Sequence, residues 1–243
     1  MDPLRVADSF RVRWCAGRAE VRGFSRHLAR FRATVNAAAQ DPAGPDGPSA
    51  AELDRFLTSA CDQIVDFGTG NPRLELRADG TLGLLLRPLP PLTDELVVRA
   101  ATIADLTHPE RKGPNIGRFG ALNQALGAEA MRVDAAGLVV EGTTTAILWW
   151  SGRTLCASAS TDRVQSVTEA LILAAASRLG YATARLRIAA SDLGAHEAWA
   201  VNALHGIRPI SAIDGAAAPP VDRARLALFR EELDQTWEPV LRG

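Results

Sequence analysis

"HPERKGPNIGRF", residues 108–119, contains the only lysine in a chain of 243 residues; the remaining 26 of its 27 basic residues are arginine. Arginine serves as well or better for surface charge, carboxylate pairing and phosphate binding. It cannot offer a neutral amine, because its pKa lies above about 12, whereas lysine starts near about 10.4 and shifts readily on burial. Nucleophilic attack on a carbonyl, giving a Schiff base, is the task that separates the two. Taken alone, Lys112 reads as a solvated surface charge, and the arginine bias as a habit of base composition. Its neighbours decide between these readings.

Composition sets broad bounds. An apolar content of 47% with 23% charged residues describes an ordinary soluble globular chain, long enough for one large domain or two small ones. A formal net charge of −1 gives no pull toward nucleic acid or an anionic membrane. No stretch approaches the roughly 18 consecutive apolar residues of a membrane helix, and "MDPLRVADSF" lacks a signal-peptide pattern. Cys15, Cys61 and Cys156 show no C-x-x-C spacing, so reduced thiols in a cytoplasm are expected, all three as small buried hydrophobes.

Working outward, "SFRVRWCAGRAEVRGFS" alternates about Gly17 and predicts a β-hairpin. "SRHLARFRATVNAAA" predicts a helix capped by Ser25, and Ser49 caps a second, "AAELDRFLTSACDQIV". "PRLELRADGTLGLLLRPL" is a hairpin about Asp79-Gly80. "PLPPLTDELVVRAATI" begins with a proline break and marks the crossing between domains, giving 1–106 and 107–243. Beyond it come a helix in "RFGALNQALGAEA", paired strands in "AMRVDAAGLVVEG" and "TAILWWSGRTLCAS", and a helix from Ser166 to Gly180. Strands in "TARLRIA", "EAWAVNAL" and "IRPISAID" and an amphipathic helix, "DRARLALFREELDQTW", close the chain. Strands and helices mix without regular βαβ alternation, so the fold class is α+β.

Motifs for other chemistries are missing. There is no G-x-G-x-x-G after a strand, no G-x-x-x-x-G-K-[ST] and no G-x-S-x-G. "HEAWA" lacks the second histidine of a zinc helix, so His196 is a polar residue at a strand end and no metal site is expected.

The neighbours of Lys112 form an ordered series. Lys112-Gly113-Pro114-Asn115 is a K-x-x-N unit. "DAAGLVVEGTTTAILWW" then places Glu141 where a turn leads into a strand. "QSVTEAL" opens a helix whose first amides, at Val167 and Thr168, can hold an anion. "EAWAVNALHGIRPI" puts Asn202 at a strand end, and "RHLARF" supplies a cation, Arg30. Singly, Arg30 is a helix-surface charge, Glu141 a turn acid, Ser166 and Thr168 cap residues, and Asn202 a turn residue. Together they are the parts of a pyridoxal phosphate site, which needs an amine for the aldehyde, an anion for the pyridinium, and amides with a cation for the phosphate.

This order resembles the class IV (fold-type IV) pyridoxal-phosphate enzymes, which include branched-chain and D-amino-acid aminotransferases and aminodeoxychorismate lyase. "HLARF" resembles the family's H-x-x-R-L helix, so the likeness runs from about residue 8 to 215. It implies a two-domain α+β fold with a smaller N-terminal domain, pyridoxal 5'-phosphate as cofactor, a small amino substrate and a homodimer. By resemblance Lys112 carries the cofactor and moves the substrate proton, Glu141 pairs with the pyridine nitrogen, and Arg30, Val167, Thr168 and Asn202 hold the phosphate. Three departures stand out. Only "VADSFRV" remains of the N-terminal segment, Glu169 replaces the usual arginine, and no tyrosine follows the lysine. Asn202-Ala203-Leu204 resembles the lyase branch, so a lyase releasing pyruvate and 4-aminobenzoate is expected, with an aminotransferase as the alternative and a degenerate non-catalytic relative as a third reading.

Overall fold

The computed structural model describes residues 4–42 and 44–243. The chain forms two compact units: residues 1–91, 111–114 and 236–243 make the first, and residues 92–110 and 115–235 the second. The first unit runs β1 (Leu4–Ser9), β2 (Arg13–Cys15), β3 (Arg18–Arg22), α1 (Phe24–Ala38), α2 (Ala50–Phe67), β4 (Arg73–Arg77) and β5 (Leu82–Leu85). The second begins with β6 (Leu96–Thr102), α3 (Ile116–Leu126), β7 (Glu129–Val133), β8 (Val139–Gly142), β9 (Ala146–Ser151) and β10 (Thr154–Ser158). It continues with α4 (Val167–Arg178), β11 (Ala182–Leu186), α5 (Ala190–Leu193), β12 (Ala198–Asn202), β13 (Gly206–Ile213), β14 (Ala216–Ala217) and α6 (Arg223–Asp234). The chain then returns to the first unit in β15 (Trp237–Pro239).

Two three-stranded sheets, ordered β1-β4-β5 and β15-β3-β2, build the first unit. The β2–β3 hairpin turns at Ala16 and Gly17, both with positive φ (49° and 77°), the backbone of a two-residue turn that follows strand twist. The Asp79-Gly80 turn forms as expected, with the Asp79 carboxylate accepting from the Thr81 amide (2.9 Å) and hydroxyl (2.7 Å). Ser49 caps α2 in a reciprocal box with Glu52. Ser25 does not cap α1. The helix starts earlier, behind Gly23 in the left-handed region (φ 60°), and the Ser25 amide donates instead to the Glu238 carboxylate at 2.7 Å. Cys15 also departs from expectation: it is exposed, while Cys61 and Cys156 are buried with thiols pushed up by burial.

In the second unit the path β11-β10-β9-β12-β13-β6-β7-β8 makes one mixed sheet, with β14 paired to β13. The sheet curls, so that the Ser158 hydroxyl on β10 donates to the Val139 carbonyl on β8 at 2.8 Å. Strand β9 shows why both faces are covered. Ala146, Leu148 and Trp150 point into a core with α4 and α6, whereas Ile147 and Trp149 face Val98, Met131 and Ile210. Trp150, Trp199 and Phe229 meet edge to face, with ring centroids 5.3–5.5 Å apart. No helix among the described residues is long and apolar enough to cross a membrane.

Candidate active site

The first unit seats the lysine on β1. The Lys112 carbonyl accepts from the Ala7 amide at 2.6 Å, and its ammonium lies 3.5 Å from the Ser9 carbonyl. Gly113 makes this approach possible. Its φ is +143°, and a Cβ there would lie 2.8–2.9 Å from the backbone of Val6 and Ala7. Part of the lysine surface remains accessible, but protein surrounds the amine closely enough for burial to lower its pKa to about 8; Asp8 opposes the shift, and Arg30, Arg87 and Arg73 add to it. At pH 7 an ordinary lysine is neutral roughly once in three thousand molecules, and this one roughly once in ten.

Beside the lysine, α1 presents His27 and Arg30 to Asp8 on β1. Asp8 is 1% exposed. Its Oδ2 accepts from Arg30 Nε (2.8 Å) and its Oδ1 from Arg30 Nη2 (2.8 Å) and His27 Nδ1 (2.8 Å). Burial alone would raise this carboxyl, but Arg30, His27 and Lys112 outweigh it and hold Asp8 well below the usual carboxylate range. An ionised carboxylate only accepts, so His27 carries its proton on Nδ1; burial holds the ring in the neutral form.

The second unit carries the other candidates. Glu141, on β8, is 5% exposed. Arg132 Nη1 donates to its Oε1 at 2.6 Å, and the Val164 amide donates to its Oε2 at 3.2 Å. Burial pushes Glu141 up to about 8 against the pull of Arg132, the Val164 amide and Arg163, with Glu169 adding to the rise. Val164 thereby links Glu141 to the approach of α4. Ser166 caps that helix by accepting from the Glu169 amide at 3.2 Å, and the Val167 and Thr168 amides have no acceptor within the helix. Glu169 receives Arg163 through two bonds of 2.7 Å and Arg185 at 3.1 Å. Asn202 ends β12; its Oδ1 accepts from the Leu204 (3.2 Å) and His205 (2.8 Å) amides, and its Nδ2 donates to the Thr144 carbonyl (3.3 Å). The threonine run is tied to buried Glu129, which accepts from the Thr144 amide (2.9 Å) and the hydroxyls of Thr144 and Thr145 (both 2.8 Å).

Arg30 is therefore bonded to Asp8, whose charge also acts on Lys112, and Glu141 is joined to the approach of α4. Asp8, Arg132 and Arg163 were not legible as site residues, although a charged residue inside an apolar strand, as in "LRVADS", is a usable signal for a buried pair. His196 behaves as a strand-end residue, with Nδ1 2.9 Å from the Trp150 carbonyl. No cluster of metal-binding side chains occurs among the described residues.

A sheet-rich second unit, a lysine seated on a strand and a carboxylate beside a helix start define a class of fold, and comparison with known proteins identifies it. Residues 5–213 match the model of amino-transferase class IV, and the chain belongs to that family. Its cofactor is pyridoxal 5'-phosphate, and one similar structure, a hypothetical aminotransferase from Mycobacterium tuberculosis, is a PLP-bound form. The same M. tuberculosis protein with α-ketoglutarate and PMP bound is 17% identical, with a TM-score of 0.77 over 95% of this chain and 88% of that one. A branched-chain amino acid aminotransferase from T.th., complexed with 4-methylvaleric acid, gives 0.77 at 15% identity, over 97% and 89%. A branched-chain aminotransferase from Thermoproteus uzoniensis with norvaline gives 0.76 at 18%, over 97% and 90%. At these identities the likeness shows the fold. No curated protein matches the chain.

Proposed function

We propose that the protein is an aminotransferase that uses pyridoxal 5'-phosphate to move an amino group between an amino acid and a 2-oxo acid. The family supports this reading over the lyase expected from Asn202-Ala203-Leu204, because the similar structures carry aminotransferase names and aminotransferase ligands. The observation that carries the cofactor chemistry is the Lys112 seat: a sole lysine, held on β1 and partly neutral near pH 7.

Each unit supplies side chains of the chemistry that the cofactor needs. Lys112 would hold its aldehyde, Glu141 its ring nitrogen, and Arg30, the Val167 and Thr168 amides and Asn202 its phosphate. Bound in this way, pyridoxal phosphate supplies an electron sink that acidifies the carbon bearing the substrate amine. Lys112 Nζ would carry the proton from that carbon to the cofactor, a task suited to an amine whose pKa lies near the working pH. Arg132 and the Val164 amide hold the Glu141 carboxyl in position and oppose the rise that burial imposes on it, and a positive ring nitrogen beside it would favour its ionised form further. The active unit is a homodimer on the strength of family membership, and sedimentation tests it.

The protein loaded with cofactor, mixed with an amino acid alone, should lose its visible absorption and regain it on addition of 2-oxoglutarate, with glutamate formed. One specific feature favours a lyase: the Asn202-Ala203-Leu204 sequence, which resembles the lyase branch. Aminobenzoate and pyruvate released from aminodeoxychorismate, without loss of visible absorption on adding amino acids, would decide for that reading.

A further inference from the structure

We propose that Asp8 competes with the cofactor phosphate for Arg30, so that the chain sets its own affinity for pyridoxal phosphate through the ion pair between β1 and α1. The inference rests on the reading of Arg30 as a phosphate cation. The guanidinium edge formed by Nε and Nη2 is one that can grip a phosphate through two parallel bonds. Here both of its bonds, each 2.8 Å, go to the two oxygens of one carboxylate. The carboxylate is held from the other side by His27 Nδ1 at 2.8 Å and is only 1% exposed, so it is a fixed partner rather than a passing surface contact.

A phosphate reaching that edge must displace the Asp8 oxygens and stand beside their negative charge. His27 cannot offset that charge while its ring is neutral. Removing the Asp8 charge frees the guanidinium edge and removes the repulsion. Hydrogen bonds to charged groups contribute about 1.5–3 kcal/mol, so the phosphate should gain at least about tenfold in affinity.

The test compares pyridoxal 5'-phosphate with pyridoxal, which lacks the phosphate but reaches the same lysine. The ratio of the dissociation constant for pyridoxal to that for pyridoxal 5'-phosphate isolates the phosphate contribution from everything at the ring and the aldehyde. Asp8→Asn, and Asp8→Ser should the amide variant fail to fold, should raise the ratio about tenfold or more, while Arg30→Ala should lower it. A ratio unchanged or lowered in the Asp8 variants, with Arg30→Ala lowering it, overturns the competition and leaves Arg30 as the phosphate cation. A ratio that Arg30→Ala leaves unchanged removes Arg30 from phosphate binding and the proposal with it. The unaltered protein gives an independent reading. The nitrogen-15 resonance of Arg30 Nε, assigned by its loss in Arg30→Lys, should shift with pyridoxal phosphate and stay in place with pyridoxal. No shift with either compound contradicts the exchange of partners.

Discussion

Replacing Gly113 by alanine tests whether the lysine loop is held against β1 as described. The added Cβ would lie 2.8 Å from Val6 Cα and 2.9 Å from the Ala7 nitrogen, and both atoms are backbone that cannot rotate away. The backbone at φ +143° adds strain of about 1–3 kcal/mol, and forcing a methyl into fixed neighbours costs about 1–3 kcal/mol. Partial relaxation of the loop brings the expected loss to about 2–4 kcal/mol. Gly17→Ala is the matched control in the same unit, since φ is +77° there and no atom lies within 4 Å of the added Cβ. It should cost about 1–2 kcal/mol. Urea unfolding measures both, with the slope checked for constancy. Gly113→Ala should also slow cofactor attachment, because the Ala7–Lys112 backbone bond of 2.6 Å is pushed apart. Equal losses in the two variants, with attachment unchanged, would refute the described seating of the loop.

The remaining predictions concern charge. Acylation of Lys112, followed by mass spectrometry of its peptide, should rise tenfold per pH unit up to about pH 8 and then level off; a midpoint near 10.5 contradicts the shift. Glu141→Gln should keep cofactor attached yet slow proton removal from the substrate on the order of a hundredfold, and unchanged turnover would take Glu141 out of the mechanism. Glu169→Arg, which restores the residue type usual in the family, should destabilise the protein by about 3–5 kcal/mol, because the new cation is buried against Arg163 with its carboxylate partner gone. Wild-type melting behaviour in that variant would show that the Arg163–Glu169 pair is not structural.

Elements governed by local chemistry were legible in the sequence. The Ser49 cap, the Asp79-Gly80 turn and the Ser166 cap each depend on side chains within a few residues, and each forms as read. Ser25 failed because the start of α1 is fixed by Gly23 and by Glu238, a partner 213 residues away in sequence. Strand β1 is not legible locally for a similar reason. "LRVADS" makes sense as a strand only through its pairing with β4, and Asp8 is tolerated there only because α1 returns Arg30 and His27 to it. Lys112 was legible through its uniqueness, but the contacts that lower its pKa come from distant strands and helices that no local pattern reports. For Glu141 the order of motifs located the residue, while its pairing with Arg132 emerged only from the β7–β8 register, in which the two residues lie opposite one another.

In the proposed chemistry the sole lysine carries the cofactor. Purified protein is loaded with pyridoxal 5'-phosphate, reduced with borohydride, digested and mapped by mass spectrometry beside a Lys112→Arg variant. One reduced adduct is expected, on the peptide containing Lys112, and neither adduct nor visible absorption in the variant. A variant that keeps the visible absorption, or an adduct found on any other peptide, would contradict it.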